Sequence, residues 1–104
     1  MNSSTPGWLT LCVWRALLGE IYPSIRAIAI NFTDDKTLLI RYYLDRPATE
    51  FDQESLETVA TNISASTGLD QINHIDVECQ YTTAPIHALN RLAGFIYCRR
   101  EYEV

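Results

Sequence analysis

The chain has 104 residues, 47% of them hydrophobic and 20% charged, with a formal net charge of −5. That length suits one domain with one core, and the composition excludes a disordered chain. The acidic balance disfavours free nucleic acid or an anionic membrane surface as partner and favours a basic protein surface.

Thr5-Pro6 predicts a helix start, with Thr5 as N-cap and Pro6 in the first helical position, and a helix from Pro6 to Leu18 that stops at Gly19. Its segment WLTLCVWRALL is apolar nearly all round, with Thr10 and Arg15 the exceptions, so the helix is expected to be wedged between other elements. No basic residue precedes it and it falls short of about 20 apolar residues, so it fits neither a signal peptide nor a membrane span.

SIRAIAINF and LLIRYYLD, separated by DDKT, predict a β-hairpin across residues 25–44. Leu38, Ile40, Tyr42 and Leu44 share one face of the second strand, and Ile28, Ile30 and Phe32 of the first are expected to face the core. DRPAT breaks the pattern. Leu56, Val59, Ala60 and Ile63 then recur at helical spacing, which predicts a second helix starting at Thr49 or Asp52 and ending near Thr67-Gly68, with Gly68 as a left-handed cap.

QINHIDVECQYT alternates: Ile75, Val77, Cys79 and Tyr81 point one way, His74, Asp76, Glu78 and Gln80 the other, as in a half-exposed strand with an acidic outer face. TAPIHALNRLA reads as a connection with room for a short helical turn, and GFIYCRREY as the last strand. The order αββαββ, with two hairpin-type strand pairs, predicts one α+β domain over residues 1–104: a mostly antiparallel four-stranded sheet with two main helices packed on it.

No phosphate-binding, nucleophile-elbow or metal-protease motif occurs. The three cysteines lack metal-ligand or disulfide-framework spacing, so free thiols and a reducing compartment, the cytoplasm, are expected. No cofactor or metal is implied. His74 and His87 are the two acid–base candidates, and a small nuclease-like enzyme could pair one of them with Asp76 or Glu78. His74 with Asp76 is the enzymatic alternative, although residues alternating on an exposed strand face are ordinary solvated positions and His87 lies in the connection after Pro85. A ligand-binding oligomer is a further alternative.

The acids are more informative. Glu50, Glu54 and Glu57 fall at i, i+4 and i+7 with no cation interleaved, an arrangement that costs roughly 0.2–0.5 kcal/mol per like-charged pair. The helix dipole and capping account for Glu50 and Asp52 but poorly for Glu57. If Thr49 is the cap, Phe51 stands exposed beside the stripe. Asp45, Glu50, Phe51, Glu54, Glu57, Asp76 and Glu78 are therefore the candidate residues for docking a basic partner.

RALLGEIYPSIRAIAINF, IRYYLDRPATEFDQESLETVATNI and GFIYCRRE together resemble bacterial immunity proteins of contact-dependent growth inhibition and related polymorphic-toxin systems. The similarity runs over roughly residues 15–101, and no single motif carries it. The resemblance implies a non-enzymatic cytoplasmic protein, encoded beside a toxin, that binds the toxin's C-terminal domain, often a nuclease, and blocks it. It supplies no contact residues, because such interfaces differ with the toxin; the candidate residues rest on charge alone.

Overall fold

The computed structural model describes residues 5–101. Along the chain stand α1 (Gly7–Leu17), β1 (Ile25–Phe32), β2 (Thr37–Leu44), α2 (Glu50–Ser66), β3 (His74–Tyr81), a single 3-10 turn (Ile86–Ala88) and β4 (Gly94–Cys98). The fold is α+β, with two helices on a four-stranded, mostly antiparallel sheet. The 3-10 turn ahead of β4 is an element that a plain αββαββ order does not contain.

The sheet runs β3-β2-β1-β4. β1 and β2 form the expected hairpin, from Phe32↔Leu38 at the turn to Ile25↔Leu44 at its open end. The expected second hairpin does not form. β3 lies parallel to β2, and β4 pairs antiparallel with β1 at the opposite edge. The physical reason is the connection. α2 crosses one face of the sheet and delivers β3 in the direction of β2, as a helical crossover does. β4 ends earlier than GFIYCRREY suggests; Tyr102 lies outside the described residues.

Both helices pack on one face. Leu9, Val13 and Leu17 of α1 and Leu56, Val59 and Ile63 of α2 are buried against Ile28, Ile30, Leu38, Ile40, Tyr42 and Leu44. The helices run in opposite directions: Tyr22, just after α1, meets the start of α2, and Cys12 Sγ lies 3.4 Å from Ser66 Oγ at its end. The other face is covered by the connection before β4, whose Ile86, Leu89 and Leu92 pack with Phe95 of β4 on Ala27, Ala29 and Tyr43. The Tyr43 hydroxyl donates to the Asn90 carbonyl at 2.7 Å. With both faces covered, six consecutive residues of β1 are buried.

Three local expectations are corrected. Pro6, not Thr5, occupies the N-cap of α1, a shift of one residue. Gly68 does not adopt a left-handed conformation; Thr67 closes α2, and its hydroxyl donates back to the Ile63 carbonyl at 2.9 Å. And α1 is not wedged between elements. One stripe of it is buried, but Trp8, Leu11 and Trp14 are 41–51% exposed, because among the described residues no third layer covers its outer side.

Gly19 does turn the chain as the sequence suggests, at φ +79°. A Cβ there meets nothing within 4 Å, so Gly19→Ala is expected to cost about 1 kcal/mol through backbone strain alone, measurable by urea denaturation.

Candidate functional site

The start of α2 is built around a carboxylate. Thr49 is the N-cap, and Asp52, three residues on, reaches back to accept the Thr49 backbone N–H at 2.7 Å, one half of a capping box. Asp52 is completely buried. Its oxygens also accept from Arg46 at 2.6 and 3.0 Å, from the Tyr22 hydroxyl at 2.6 Å and from the Thr49 hydroxyl at 3.0 Å. The Arg46 guanidinium first, and then the Tyr22 and Thr49 donors, hold its carboxyl well below the usual range. Burial, and then the bond to Asp52, pushes the Tyr22 hydroxyl up.

With Asp52 turned inward, Phe51 turns outward. It is 59% exposed, and its ring meets the edge of Tyr22 at 5.2 Å between centroids. Glu50, Glu54 and Glu57 share this outer side of the helix and are exposed. No cation pairs with them among the described residues. Glu57 accepts only the Gln53 amide at 3.0 Å.

Glu54 and Glu57 border a groove along the seam of the two helices, and Glu50 stands one turn before them on the same side of α2. At one end a hollow of about 400 Å³ is lined by Glu20, Ile21, Tyr22, Phe51, Glu54 and Thr58. A shallower hollow between Glu54 and Asn62 continues it, and beyond Asn62 a third of about 430 Å³ is walled by Leu11, Arg15 and Leu18 of the α1 side. Leu11, Arg15 and Leu18 stand at i, i+4 and i+7, so they form one ridge. Of the exposed large hydrophobic residues, Trp8, Leu11, Trp14, Leu18, Ile21 and Phe51 all belong to this helical layer. Trp14 is held in place by its indole N–H, which donates to the Ile96 carbonyl at 3.0 Å, and Trp8 stacks edge-on against Phe32 at 6.2 Å. The result is a ridge on the α1 side, apolar at Leu11 and Leu18 and basic at Arg15, that shares one groove with the unpaired Glu54 and Glu57 of α2.

The other candidate acids lie elsewhere and are already engaged. Asp76 and Glu78 project from the face of the sheet opposite the helices, where Glu78 pairs with Arg41 and Asp76 Oδ1 lies 2.8 Å from His74 Nε2. Asp45 joins an ion-pair chain at the end of β2. Arg99 bridges Asp45 and Glu101, each at 2.8 Å, and Glu101 receives both Nε and Nη2 of the buried Arg26 at 2.9 and 2.8 Å. Arg26, and then Arg99, hold the Glu101 carboxyl below its ordinary value. This chain fastens the end of the described polypeptide to the central strand. The seven candidates thus divide into a group of four on α2 and three outside it.

His74 and Asp76 are both more than half exposed on an edge strand, and of the two only His74 borders a hollow, the one between the end of α2 and the start of β3. Among the described residues no three His, Cys, Asp or Glu side chains converge to hold a metal ion, and no helix is long and apolar enough to cross a membrane. Burial pushes the Cys79 thiol up to about 11, so it stays a thiol.

Sequence reasoning missed the groove's far wall: Leu11, Leu18, Glu20 and Ile21. The signal was present in the all-round apolarity of α1, which has two explanations, burial on every side or an outer side that meets a partner. A protein-family model described as MafI2 immunity protein matches residues 6–101. No curated protein matches the chain.

Proposed function

We propose, since the chain belongs to the MafI2 immunity protein family, that it neutralises its cognate toxin by seating the toxin's C-terminal domain on the α1–α2 groove. One observation supports this reading above the rest: exposed apolar residues and unpaired carboxylates share a single surface. Leu11, Leu18, Ile21 and Phe51 supply desolvated anchors, and Glu50, Glu54 and Glu57 steer a cationic surface into register. A nuclease is the toxin class that such a face fits best. A nuclease must gather positive charge to hold phosphates, and carboxylates seated there exclude the nucleic acid by occupying the same sites. On this reading the protein is an inhibitor without catalytic activity of its own, acting in the cytoplasm where such a toxin meets its substrate.

The test is growth protection and association kinetics with the toxin domain encoded beside this chain. Reversing Glu54 and Glu57 to Lys is expected to slow association about tenfold or more at low salt and to flatten its dependence on ionic strength. The fold should be unaffected, because both side chains are exposed. Unchanged rates and unchanged protection in both variants would refute the carboxylate half of the proposal.

A further inference from the structure

The strand at one edge of the sheet is built unlike the strand at the other. β4 has five residues, a register break opposite Ile28/Ala29 and Arg99 directly after it, which are ordinary guards against edge-to-edge pairing. β3 has eight residues without proline, and it pairs with β2 residue for residue from Thr37↔His74 to Leu44↔Tyr81 with no break. The backbone N–H groups of His74 and Thr82 donate to the carbonyls of Lys36 and Leu44 on the β2 side. By strand alternation, Ile75, Val77, Cys79 and Tyr81 then turn their N–H and C=O groups away from the sheet. No described residue pairs with that outer row.

The space beside the edge differs on its two faces. Toward the helices a groove of about 540 Å³ follows the start of β3, kept open by the small residues Ala60, Ser64 and Gly68 and floored by Ile72 and Ile75. On the opposite face stand Asp76 and Glu78. A second copy of this chain is a poor occupant: antiparallel self-pairing centred on Val77 sets Asp76 of one copy directly against Glu78 of the other.

We infer that the β3 edge receives an extended strand of the toxin domain, its apolar residues turned toward the helical groove and a Lys or Arg toward Asp76. No described Lys or Arg neutralises the Asp76 carboxylate, whereas Glu78 is paired with Arg41. Main-chain pairing supplies affinity there and the alternating side chains supply specificity. The inference rests on the immunity reading above and adds a second, backbone-mediated contact to it.

Amide hydrogen exchange on the isotope-labelled chain, alone and with the purified toxin domain encoded beside it, tests this. Binding is expected to slow exchange at Ile75, Val77, Cys79 and Tyr81 by about tenfold or more. Val77→Pro removes one outward donor while leaving the β2 ladder intact. It is expected to weaken the complex about tenfold relative to Val77→Ala, which loses comparable packing but keeps the donor. A complex that forms while these amides exchange as in the free chain overturns the inference and leaves the immunity reading standing. Protection that rises with the concentration of the chain alone assigns the edge to a second copy and also overturns it. Failure to form any complex overturns both.

Discussion

Phe51→Ala is expected to weaken the complex with the toxin domain by about 2 kcal/mol or more, about 30-fold in Kd, while leaving the fold nearly as stable as before. The side chain carries few internal contacts, since it is 59% exposed and its main partner is the edge of Tyr22. Loss of that ring contact alone is worth about 1 kcal/mol at most. Its expected value to binding comes from being held still. Tyr22 is anchored by its hydroxyl to Asp52 at 2.6 Å, so the ring under Phe51 does not have to be ordered when a partner arrives. Leu18→Ala, on the α1 wall of the groove, should act in the same direction. Arg91→Ala is the control: Arg91 lies over Phe95, on the other face of the sheet, and its loss should leave Kd unchanged. Calorimetric titration gives the affinities and thermal unfolding the stability. Equal effects of Phe51→Ala and Arg91→Ala would remove the groove as the binding face.

Asp52→Ala is expected to be the most damaging single change to the fold outside the apolar core, on the order of 3 kcal/mol. It strips the acceptor from the Thr49 N–H, the Tyr22 hydroxyl and Arg46, and the first turn of α2 loses the Asp52 half of its capping box. The same bonds set a pH dependence. Because the Asp52 carboxyl titrates lower in the folded chain than in the unfolded one, its contribution is complete above the unfolded value of about 4. It is lost as pH falls from there through the folded value. The difference in melting temperature between the parent and Asp52→Asn should therefore be largest near neutrality and shrink on acidification below about pH 4. A gap that stays constant from pH 7 to pH 3 would show that the carboxylate charge is not what Asp52 contributes. Since Tyr22 supports Phe51, the Asn variant should also lose part of the Phe51 contribution to binding.

The elements themselves were legible because their periods are local properties. Leu56, Val59 and Ile63 repeat at helical spacing, and Leu38, Ile40, Tyr42 and Leu44 repeat at strand spacing; both sets are buried as that spacing requires. The outward position of Phe51 also follows from spacing, once Thr49 is the cap. The role of Asp52 was only half legible. Its place in the first helical turn favours a carboxylate through the dipole, but Arg46 and Tyr22 reach it only when the loop after β2 and the turn after α1 are folded together. In the same way Glu78 and Asp45 read as free acids along the chain and prove to be paired with Arg41 and Arg99, which lie 37 and 54 residues away.

The sequence by itself determined which segments become helix or strand and which side of α2 and of β2 is apolar, because these depend on neighbours within a few residues; composition alone set the net charge of −5. Only the tertiary structure decided which acids remain unpaired, since an ion pair forms wherever two distant side chains are brought within reach. It also decided that β3 runs parallel to β2 with an open outer edge, because the path of α2 across the sheet sets that direction. And it decided that the outer side of α1 is exposed, because among the described residues two helices and a short connection cover the two faces of the sheet and nothing is packed outside them.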